Sequence, residues 1–184
     1  KKLTKQVLAS VLALSMVLPG SSIGTLQSYA EETTEQTQFF VDVDDADKTT
    51  TGESMKIQYS TGATWKSAKK DSYASILYGS SETYSAAGGT EYYYTMNFAG
   101  TGVQIFGAKN PNHAVCDVYI DDIYAGELNS NGTTKQFKQL LFESFGLENK
   151  EHNLKVVRKE DDTRNMQLDM IRVYTANQVN YVDI

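Results

Sequence analysis

Residues 92–128 constrain the fold more than any other part of this chain, because apolar and polar side chains alternate along them. A period of two is the pattern of a half-buried β-strand. The four residues 99–102, Ala-Gly-Thr-Gly, predict a tight turn, and Asp121 with Asp122 predicts a second one. The segment therefore predicts an antiparallel cascade of short strands.

About nine strands are predicted over the whole chain. They lie at 39–43, 54–59, 92–98, 102–106, 115–120, 123–127, 136–142, 153–159 and 167–174. A helical turn near 139–144 and one further strand at 75–78 are also compatible with the pattern. Many short strands joined by Gly and Asn turns are typical of an all-β, antiparallel β-sandwich of jelly-roll type.

The first thirty residues have the composition of a secretory signal peptide. Three lysines precede the apolar stretch 7–18, and Ser28 and Ala30 place small residues where a signal peptidase reads them. The apolar stretch is too short for a permanent transmembrane helix, which argues against an uncleaved anchor. The predicted plan is a signal peptide over 1–30, a disordered leader over 31–37, a β-sandwich domain over 38–176 and the start of a linker over 177–184.

Charge and cysteine content exclude several classes of protein. A formal net charge of −6 without any basic stripe argues against nucleic-acid binding. The single cysteine, Cys116, excludes an internal disulfide framework, and its place on the apolar side of a strand predicts a buried, inert thiol. A lysine-rich signal without disulfides suggests a secreted Gram-positive protein that is free of the membrane after cleavage.

Strand direction predicts which loops share one end of the sandwich, since each antiparallel connection takes the chain from one end to the other. The short connections that fall together are 99–101, 121–122 and 145–151. The longer ones, at the opposite end, are 108–114, 129–135, 160–166 and the segment 60–91. Adaptable loops at one end of a rigid sandwich are where binding normally resides.

Aromatic residues supply candidates for stacking against a sugar ring. The indole face of Trp65 complements the C–H face of a pyranose, but the same side chain can equally seal the end of the core. Tyr84 lies in the segment 60–91, where packing needs it less. Tyr73 and Tyr78 are weaker candidates of the same kind.

Polar loop residues supply candidates for hydrogen bonds to sugar hydroxyls. Asn110, Asn112 and His113 lie in one loop, and amides both donate and accept, although such residues are also ordinary turn formers. Asn131 and Arg164 complete the predicted ligand-binding set, and Arg164 would matter most for an acidic ligand. Comparable residues in the same loops are Asn129, Asp161, Asp162 and Asn165.

No catalytic constellation is recognisable in the sequence. A glycosidase needs two opposed carboxylates about 5 to 9.5 Å apart in a cleft, and none of the carboxylates has such a setting. No G-x-S-x-G motif occurs, and His113 and His152 lack metal-ligand spacing. The chain is therefore predicted not to be an enzyme.

Several short motifs form a series that runs through the predicted domain. They are Tyr-Ser-Thr-Gly-Ala-Thr-Trp at 59–65, Phe-Ala-Gly-Thr-Gly-Val at 98–103, Asp-Val-Tyr-Ile-Asp at 117–121, Gly-Leu at 146–147, His-Asn-Leu-Lys-Val at 152–156 and Leu-Asp-Met-Ile-Arg-Val at 168–173. The series resembles the galactose-binding-like β-sandwich superfamily, in particular carbohydrate-binding-module-like domains of secreted bacterial glycoside hydrolases. The resemblance covers roughly residues 39–174 and implies a non-catalytic glycan-binding module that needs no cofactor.

The resemblance also raises a structural calcium, which several such modules carry between the first strand and an acidic residue on the last. Asp169 stands in the matching place, and Asp42 with Asp44 or Asp45 could supply further oxygen ligands. Calcium-binding relatives usually have glutamates on the first strand, and this chain has none there. The alternative for an inward-pointing Asp169 is hydrogen bonding to the backbone.

The sequence thus predicts a secreted, non-catalytic carbohydrate-binding module that holds an attached enzyme or a cell surface near a glycan. The main alternative is a structural or protein-interaction domain of a larger extracellular protein. A third interpretation is an N-terminal accessory domain of a glycoside hydrolase whose catalytic domain lies beyond residue 184.

Overall fold

Antiparallel strand pairing accounts for almost all of the regular structure. A computed structural model describes residues 4–7, 37–88 and 92–175, and one short 3-10 helix, Asp71–Ser75, is the only helix within them. In chain order the strands are β1 (Thr4–Val7), β2 (Thr37–Asp44), β3 (Ile57–Tyr59), β4 (Trp65–Lys69), β5 (Ser81–Ser85), β6 (Tyr93–Lys109), β7 (Val115–Ile120), β8 (Ile123–Asn129), β9 (Gln136–Arg158), β10 (Gln167–Leu168) and β11 (Met170–Thr175).

Much of the predicted domain plan outside the sandwich lies beyond the described residues. Of the predicted signal peptide only β1 is described, and it pairs antiparallel with the start of β2. The predicted leader, apart from Thr37, and the predicted linker over 177–184 lie outside the described residues. Within the part of the chain that is described, no helix is long and apolar enough to cross a membrane.

Two long strands, β6 and β9, organise the sheets. They pair antiparallel from Tyr93 opposite Val157 to Lys109 opposite Gln136, with a shift of register between Gly100 and Gly102. Strands β7 and β8 continue the sheet beyond β9, whereas β11, β2 and β1 continue it beyond β6, and β3 also pairs with β6. Strands β10, β5 and β4 form a separate three-stranded sheet.

The two halves of β6 contribute to one buried core. Tyr94, Met96 and Phe98 from the first half belong to the same cluster of buried side chains as Val103 and Ile105 from the second half. All of them are at most 1% exposed. Because side chains from both halves bury the same apolar surface, the long ribbon is folded over on itself, and the predicted antiparallel β-sandwich is confirmed.

The bend in the ribbon corrects the prediction of a tight turn at 99–102. The chain does not reverse within its sheet there, since β6 runs through these residues without interruption. A Cβ atom at Gly100 would overlap the carbonyl oxygen of Tyr174, and one at Gly102 would lie 2.5 Å from the ring of Phe145. The glycines therefore permit close approach of neighbouring strands rather than a hairpin.

The structure differs from the predicted strand plan at three further places. The predicted strands 136–142 and 153–159 are the two ends of the single strand β9, so the helical turn near 139–144 is extended chain instead. Residues 75–78 close the 3-10 helix and a turn rather than forming a strand. The predicted strand 167–174 is interrupted at Asp169, which separates β10 from β11.

The segment 60–91 hides two strands that the sequence pattern does not reveal. In β5 the buried positions are Ser81, Thr83 and Ser85, so polar residues occupy the inward face and the alternation is lost. Strand β4 is mostly exposed. Two extra strands take the chain to the opposite end of the sandwich and return it to the same end. The predicted grouping of the loops is therefore unchanged.

The close approach at the bend predicts an unusual sensitivity to one methyl group. Gly100→Ala should lower the free energy of unfolding by about 2 to 3 kcal/mol, because the strand carrying Tyr174 must shift. The control is Ala99→Gly at the exposed neighbouring position, which should cost less than about 1 kcal/mol. Urea unfolding of both variants measures the difference, and equal losses would contradict the close-approach account.

Candidate functional site

Three loops meet at one end of the sandwich, as the strand directions predicted. The backbone N–H of Asn110 donates to the carbonyl of Ser130 at 3.0 Å. The N–H of Asn165 donates to the carbonyl of Asn112 at 3.0 Å, and that of Ala114 to the carbonyl of Asn165 at 2.8 Å. Backbone hydrogen bonds therefore join the loops 110–114, 129–135 and 160–166 into one surface, called the loop end below.

A buried arginine fastens this loop end to the segment 60–91. Arg158 is 7% exposed, and its guanidinium lies 4.5 Å from the centre of the Tyr92 ring. Its Nη1 donates to the carbonyl of Arg164 at 3.0 Å and its Nη2 to the carbonyl of Gly88 at 2.9 Å. Since a buried cation must have its hydrogen bonds satisfied, Arg158 is a structural clamp rather than a free ligand group.

The loop end contains an open cleft of about 440 Å³. Two loop carboxylates, one strand carboxylate and two cations dominate its lining, which consists of Val115, Glu127, Lys159, Asp161, Asp162, Thr163 and Arg164. Lys159 Nζ lies 2.5 Å from a carboxylate oxygen of Glu127 and 3.7 Å from one of Asp117. Among the described residues, the cleft therefore offers hydrogen-bond donors and acceptors but no aromatic face.

Asp162 holds two other residues of the cleft lining in place through hydrogen bonds. Arg164 donates to it through Nε at 2.9 Å and through Nη2 at 2.6 Å, and the backbone N–H of Val115 donates at 2.8 Å. The Arg164 guanidinium, helped by the backbone donors, holds the pKa of Asp162 well below its usual range. Asp161 next to it is exposed, and its carboxylate has no hydrogen bond or ion pair within the described part of the chain.

The structure gives most of the predicted polar residues a fastening role. His113 is buried, and its Nδ1–H donates to the carbonyl of Ala108 at 2.9 Å. Burial lowers the pKa of His113, so the ring is neutral at pH 7. The amide of Asn131 donates to the carbonyl of Pro111 at 3.0 Å. Asn110 is half-buried beside them, whereas Asn112 is exposed.

Trp65 begins β4 and packs on the edge of the core. Its ring centre lies 4.7 Å from that of Tyr59 and 5.6 Å from that of Tyr92. Its Nε1–H donates to the carbonyl of Ser60 at 3.2 Å. Of the two interpretations that the sequence left open, these contacts favour sealing of the core.

Tyr84 does not lie in a loop, contrary to the prediction. It is a half-buried residue within β5, paired with Lys66 on one side and Gln167 on the other. Tyr78 packs edge-on against Phe106, with the two ring centres 5.4 Å apart. The side chain of Tyr73 lies outside the described residues. Trp65, Tyr78 and Tyr84 are not among the described residues that line the cleft.

Sequence reasoning missed Glu127 and Lys159. Glu127 lies near the end of β8, and Lys159 directly follows β9. Both positions come immediately before a loop that was assigned to the binding end. Attention to strand-end charges, and not only to loop residues, could have identified them.

Of the predicted calcium ligands, Asp42 is held in an ion pair, whereas Asp44, Asp45 and Asp169 lie near one another. Asp42 forms a two-point ion pair with Arg172, with Oδ1–Nε at 2.7 Å and Oδ2–Nη2 at 3.0 Å. Asp44 accepts a hydrogen bond from the Ala46 N–H at 3.0 Å, and its Oδ1 lies 3.1 Å from Ser81 Oγ. Among the described residues, no three His, Cys, Asp or Glu side chains converge on a metal position. The described side chains therefore do not form a recognisable metal site, and the structural calcium that the resemblance implied stays a prediction.

Asp169 points inward, as predicted, and a backbone N–H donates a hydrogen bond to one of its two carboxylate oxygens. Its Oδ1 accepts the N–H of Tyr78 at 2.9 Å, whereas Oδ2 is buried and has no hydrogen-bond partner within the described part of the chain. Burial raises the pKa of Asp169 to about 8. Burial also raises the pKa of Asp45 to about 6, although Ser81 and Thr83 donate to its two oxygens at 2.5 and 2.6 Å.

Comparison with known proteins gives one curated relative and several solved structures, whereas no family model matches the sequence. The chain is 30% identical over 149 residues to A type blood N-acetyl-alpha-D-galactosamine deacetylase of Flavonifractor plautii. That match covers 79% of this chain but only 17% of the relative. The chain therefore spans less than a fifth of the length of the curated relative that it matches.

The solved structures are more distant. One is a two-domain esterase active on acetylated mannans, co-crystallised with mannopentaose, with a TM-score of 0.49 and 16% identity over 74% of this chain and 37% of that one. Another is the CBM36-1 domain of a multidomain xylanase from the hindgut metagenome of Trinervitermes trinervoides. Its TM-score is 0.43 and its identity 11%, and the match covers 76% of this chain and 99% of that domain.

The buried carboxyl of Asp169 predicts a stability that falls as the pH rises. Its pKa is about 8 in the folded state against a reference of 3.8, so the folded state binds the extra proton between these values. The contribution is complete below about pH 4 and is lost as the pH approaches 8. Asp169→Asn mimics the neutral carboxyl, so its melting temperature should stay flat between pH 6 and 9 where that of the wild type falls.

The control for this experiment is Asp42→Asn, which removes the carboxylate paired with Arg172 and should leave the slope between pH 6 and 9 in place. An unchanged slope in Asp169→Asn would contradict the assignment. Millimolar calcium serves as a second arm. A rise in the melting temperature of the wild type that Asp169→Asn lacks would restore the calcium interpretation.

The contacts of Trp65 predict a loss of stability without a loss of binding. Trp65→Ala should cost about 2 to 3 kcal/mol of unfolding free energy, because a half-buried ring packed on Tyr59 and Tyr92 is removed. Tyr84→Ala serves as the comparison on the neighbouring strand. Thermal unfolding measures stability, and affinity electrophoresis in glycan-containing gels measures binding. Lost retardation with an unchanged melting temperature would instead make Trp65 a ligand residue.

Proposed function

We propose that this chain is a non-catalytic carbohydrate-binding module of a larger, secreted protein. The observation that carries the proposal is the open cleft of about 440 Å³ at the loop end, lined by side chains that can bind several hydroxyls at once. Carboxylates accept hydrogen bonds from sugar hydroxyls, and Lys and Arg donate to them. In this arrangement Asp161 is the first candidate contact, because its carboxylate is free of other bonds within the described residues.

Two of the three carboxylates in the cleft are held in ion pairs, which favours binding over hydrolysis. A general acid needs a pKa near the working pH, and the pKa of Asp162 is held well below its usual range by Arg164. Glu127 is paired with Lys159. These two carboxylates therefore stabilise the loops and the cations, and neither is prepared for proton transfer to a glycosidic oxygen.

The curated relative supports an accessory role and suggests a first ligand. It is named for acting on the N-acetyl-α-D-galactosamine of A-type blood, and this chain matches only 17% of its length. We propose that the module binds glycans that carry this sugar and keeps an attached enzyme close to them. Tethering of this kind raises the effective concentration of substrate without any catalytic group in the module.

A glycan array tests the proposal. The purified chain should bind A-type glycans above plant polysaccharides, and it should not hydrolyse aryl glycosides. Asp161→Ala should weaken binding about tenfold, which corresponds to about 1.4 kcal/mol. Glu151→Ala, an exposed carboxylate opposite Ala99 at the other end of the sandwich, is the matched control and should bind normally. Failure to bind any glycan on the array would sink the proposal.

A second candidate function is docking against a neighbouring domain of the same polypeptide. Phe145 is 47% exposed and Leu140 is 43% exposed on β9, and the Phe145 ring lies 5.0 Å from that of Tyr174. A contiguous apolar patch on a surface often marks an interface. If so, Phe145→Ser would lower the melting temperature of a longer polypeptide more than that of the isolated chain.

A further inference from the structure

The outer face of the sheet next to the cleft carries three tyrosines. Pairing places Tyr124 of β8 opposite Tyr119 of β7, and Tyr119 opposite Lys155 of β9. The rings of Tyr119 and Tyr124 lie 5.8 Å apart at 71°. The Nζ of Lys155 lies 5.2 Å from the centre of the Tyr93 ring on β6. These four side chains, called the tyrosine face below, span four adjacent strands.

The tyrosine face belongs to the surface and not to the core. In β7 the residues Cys116, Val118 and Ile120 are buried, whereas the alternate residues, including Tyr119, are only half-buried. Tyr93 is likewise half-buried beside the fully buried Tyr94, and Tyr124 is 56% exposed. The tyrosines therefore keep ring area and hydroxyls available to a ligand.

The tyrosine face is continuous with the cleft. Val115 lines the cleft and lies on the same side of β7 as Asp117 and Tyr119. Asp117 is paired across the sheet with Glu127, and Lys159 Nζ lies 3.7 Å from the carboxylate of Asp117. Tyr119 is four residues from Val115, which is about 13 Å along a strand. A chain leaving the cleft over this side of the sheet would meet the tyrosines next.

We propose that the tyrosine face is a second subsite, which binds the continuation of a glycan whose first sugar occupies the cleft. Tyrosine rings stack on the C–H faces of pyranoses, and the hydroxyls and the Lys155 ammonium bind sugar hydroxyls. The inference rests on the proposed function and sharpens it. The ligand is an extended oligosaccharide, and the module recognises more than a terminal monosaccharide.

Isothermal titration with ligands of increasing length tests the second subsite. The probes are N-acetylgalactosamine, the A-type trisaccharide and an A-type hexasaccharide. The wild-type chain should bind the hexasaccharide at least tenfold more tightly than the monosaccharide. The double variant Tyr119→Ala/Tyr124→Ala should lose most of this gain and keep the affinity for the monosaccharide, because the cleft is untouched.

Matched variants separate ligand contact from folding. Tyr119→Phe/Tyr124→Phe keeps the rings and should retain most of the gain in affinity. Phe145→Ala removes an exposed aromatic side chain from the other half of the sandwich and should leave the affinity for all three probes unchanged. Thermal unfolding of each variant checks the fold. If the double alanine variant is destabilised, Tyr124→Ala alone carries the comparison, because this ring is 56% exposed and contributes least to the fold. A gain that is undiminished in a stable Tyr124→Ala overturns the second subsite.

The outcomes for the subsite and for the function are distinguishable. Equal affinity for all three probes, or a length-dependent gain that survives in the alanine variant, overturns the second subsite and leaves the module function standing. Absence of binding to every probe also overturns it. The glycan array then decides whether the proposed function falls as well.

Discussion

The pairing of β6 with β9 is the constraint on which the rest of the structure depends. One ribbon supplies both layers of the sandwich, because it bends where Gly100 and Gly102 let neighbouring strands approach closely. Its first half presents Tyr94, Met96 and Phe98 to the core, and its second half presents Val103 and Ile105 to the same core. The two layers are covalently continuous at the bend, and the loops that form the cleft lie at the opposite end.

The loop end is held together by side chains that bond to backbone. Arg158 donates to the carbonyls of Gly88 and Arg164, and Asp162 accepts the N–H groups of Val115 and Arg164. Buried polar groups that are fully bonded make an irregular region rigid. A preformed cleft loses little conformational entropy when a ligand binds, which favours affinity for flexible, hydrated molecules such as oligosaccharides.

Sequence patterns predicted the strands and the loop grouping, but not the bend or the segment 60–91. Apolar alternation is visible wherever a strand buries hydrocarbon, and β7 was placed residue for residue. Ala-Gly-Thr-Gly serves a turn and a close-packed bend equally well, so only the tertiary contacts of Gly100 distinguish them. Strand β5 escaped because Ser81, Thr83 and Ser85 occupy its buried face, where they hydrogen-bond rather than present apolar surface.

The candidate site was harder to predict because conspicuous residues and available residues are different sets. His113, Asn131 and Trp65 attract attention by type, yet each uses its donor on a nearby carbonyl. In a loop without regular strand pairing, side chains must donate hydrogen bonds to the backbone carbonyl groups. The residues best able to form hydrogen bonds are therefore used to stabilise the loop and are not available to a ligand. What remains for a ligand is less distinctive in sequence: an exposed Asp161 at the loop end and half-exposed tyrosines on a sheet. In a module of this kind, side chains that form no hydrogen bonds within the fold are therefore better candidates for ligand contacts than residues chosen because their type is common in sugar-binding sites.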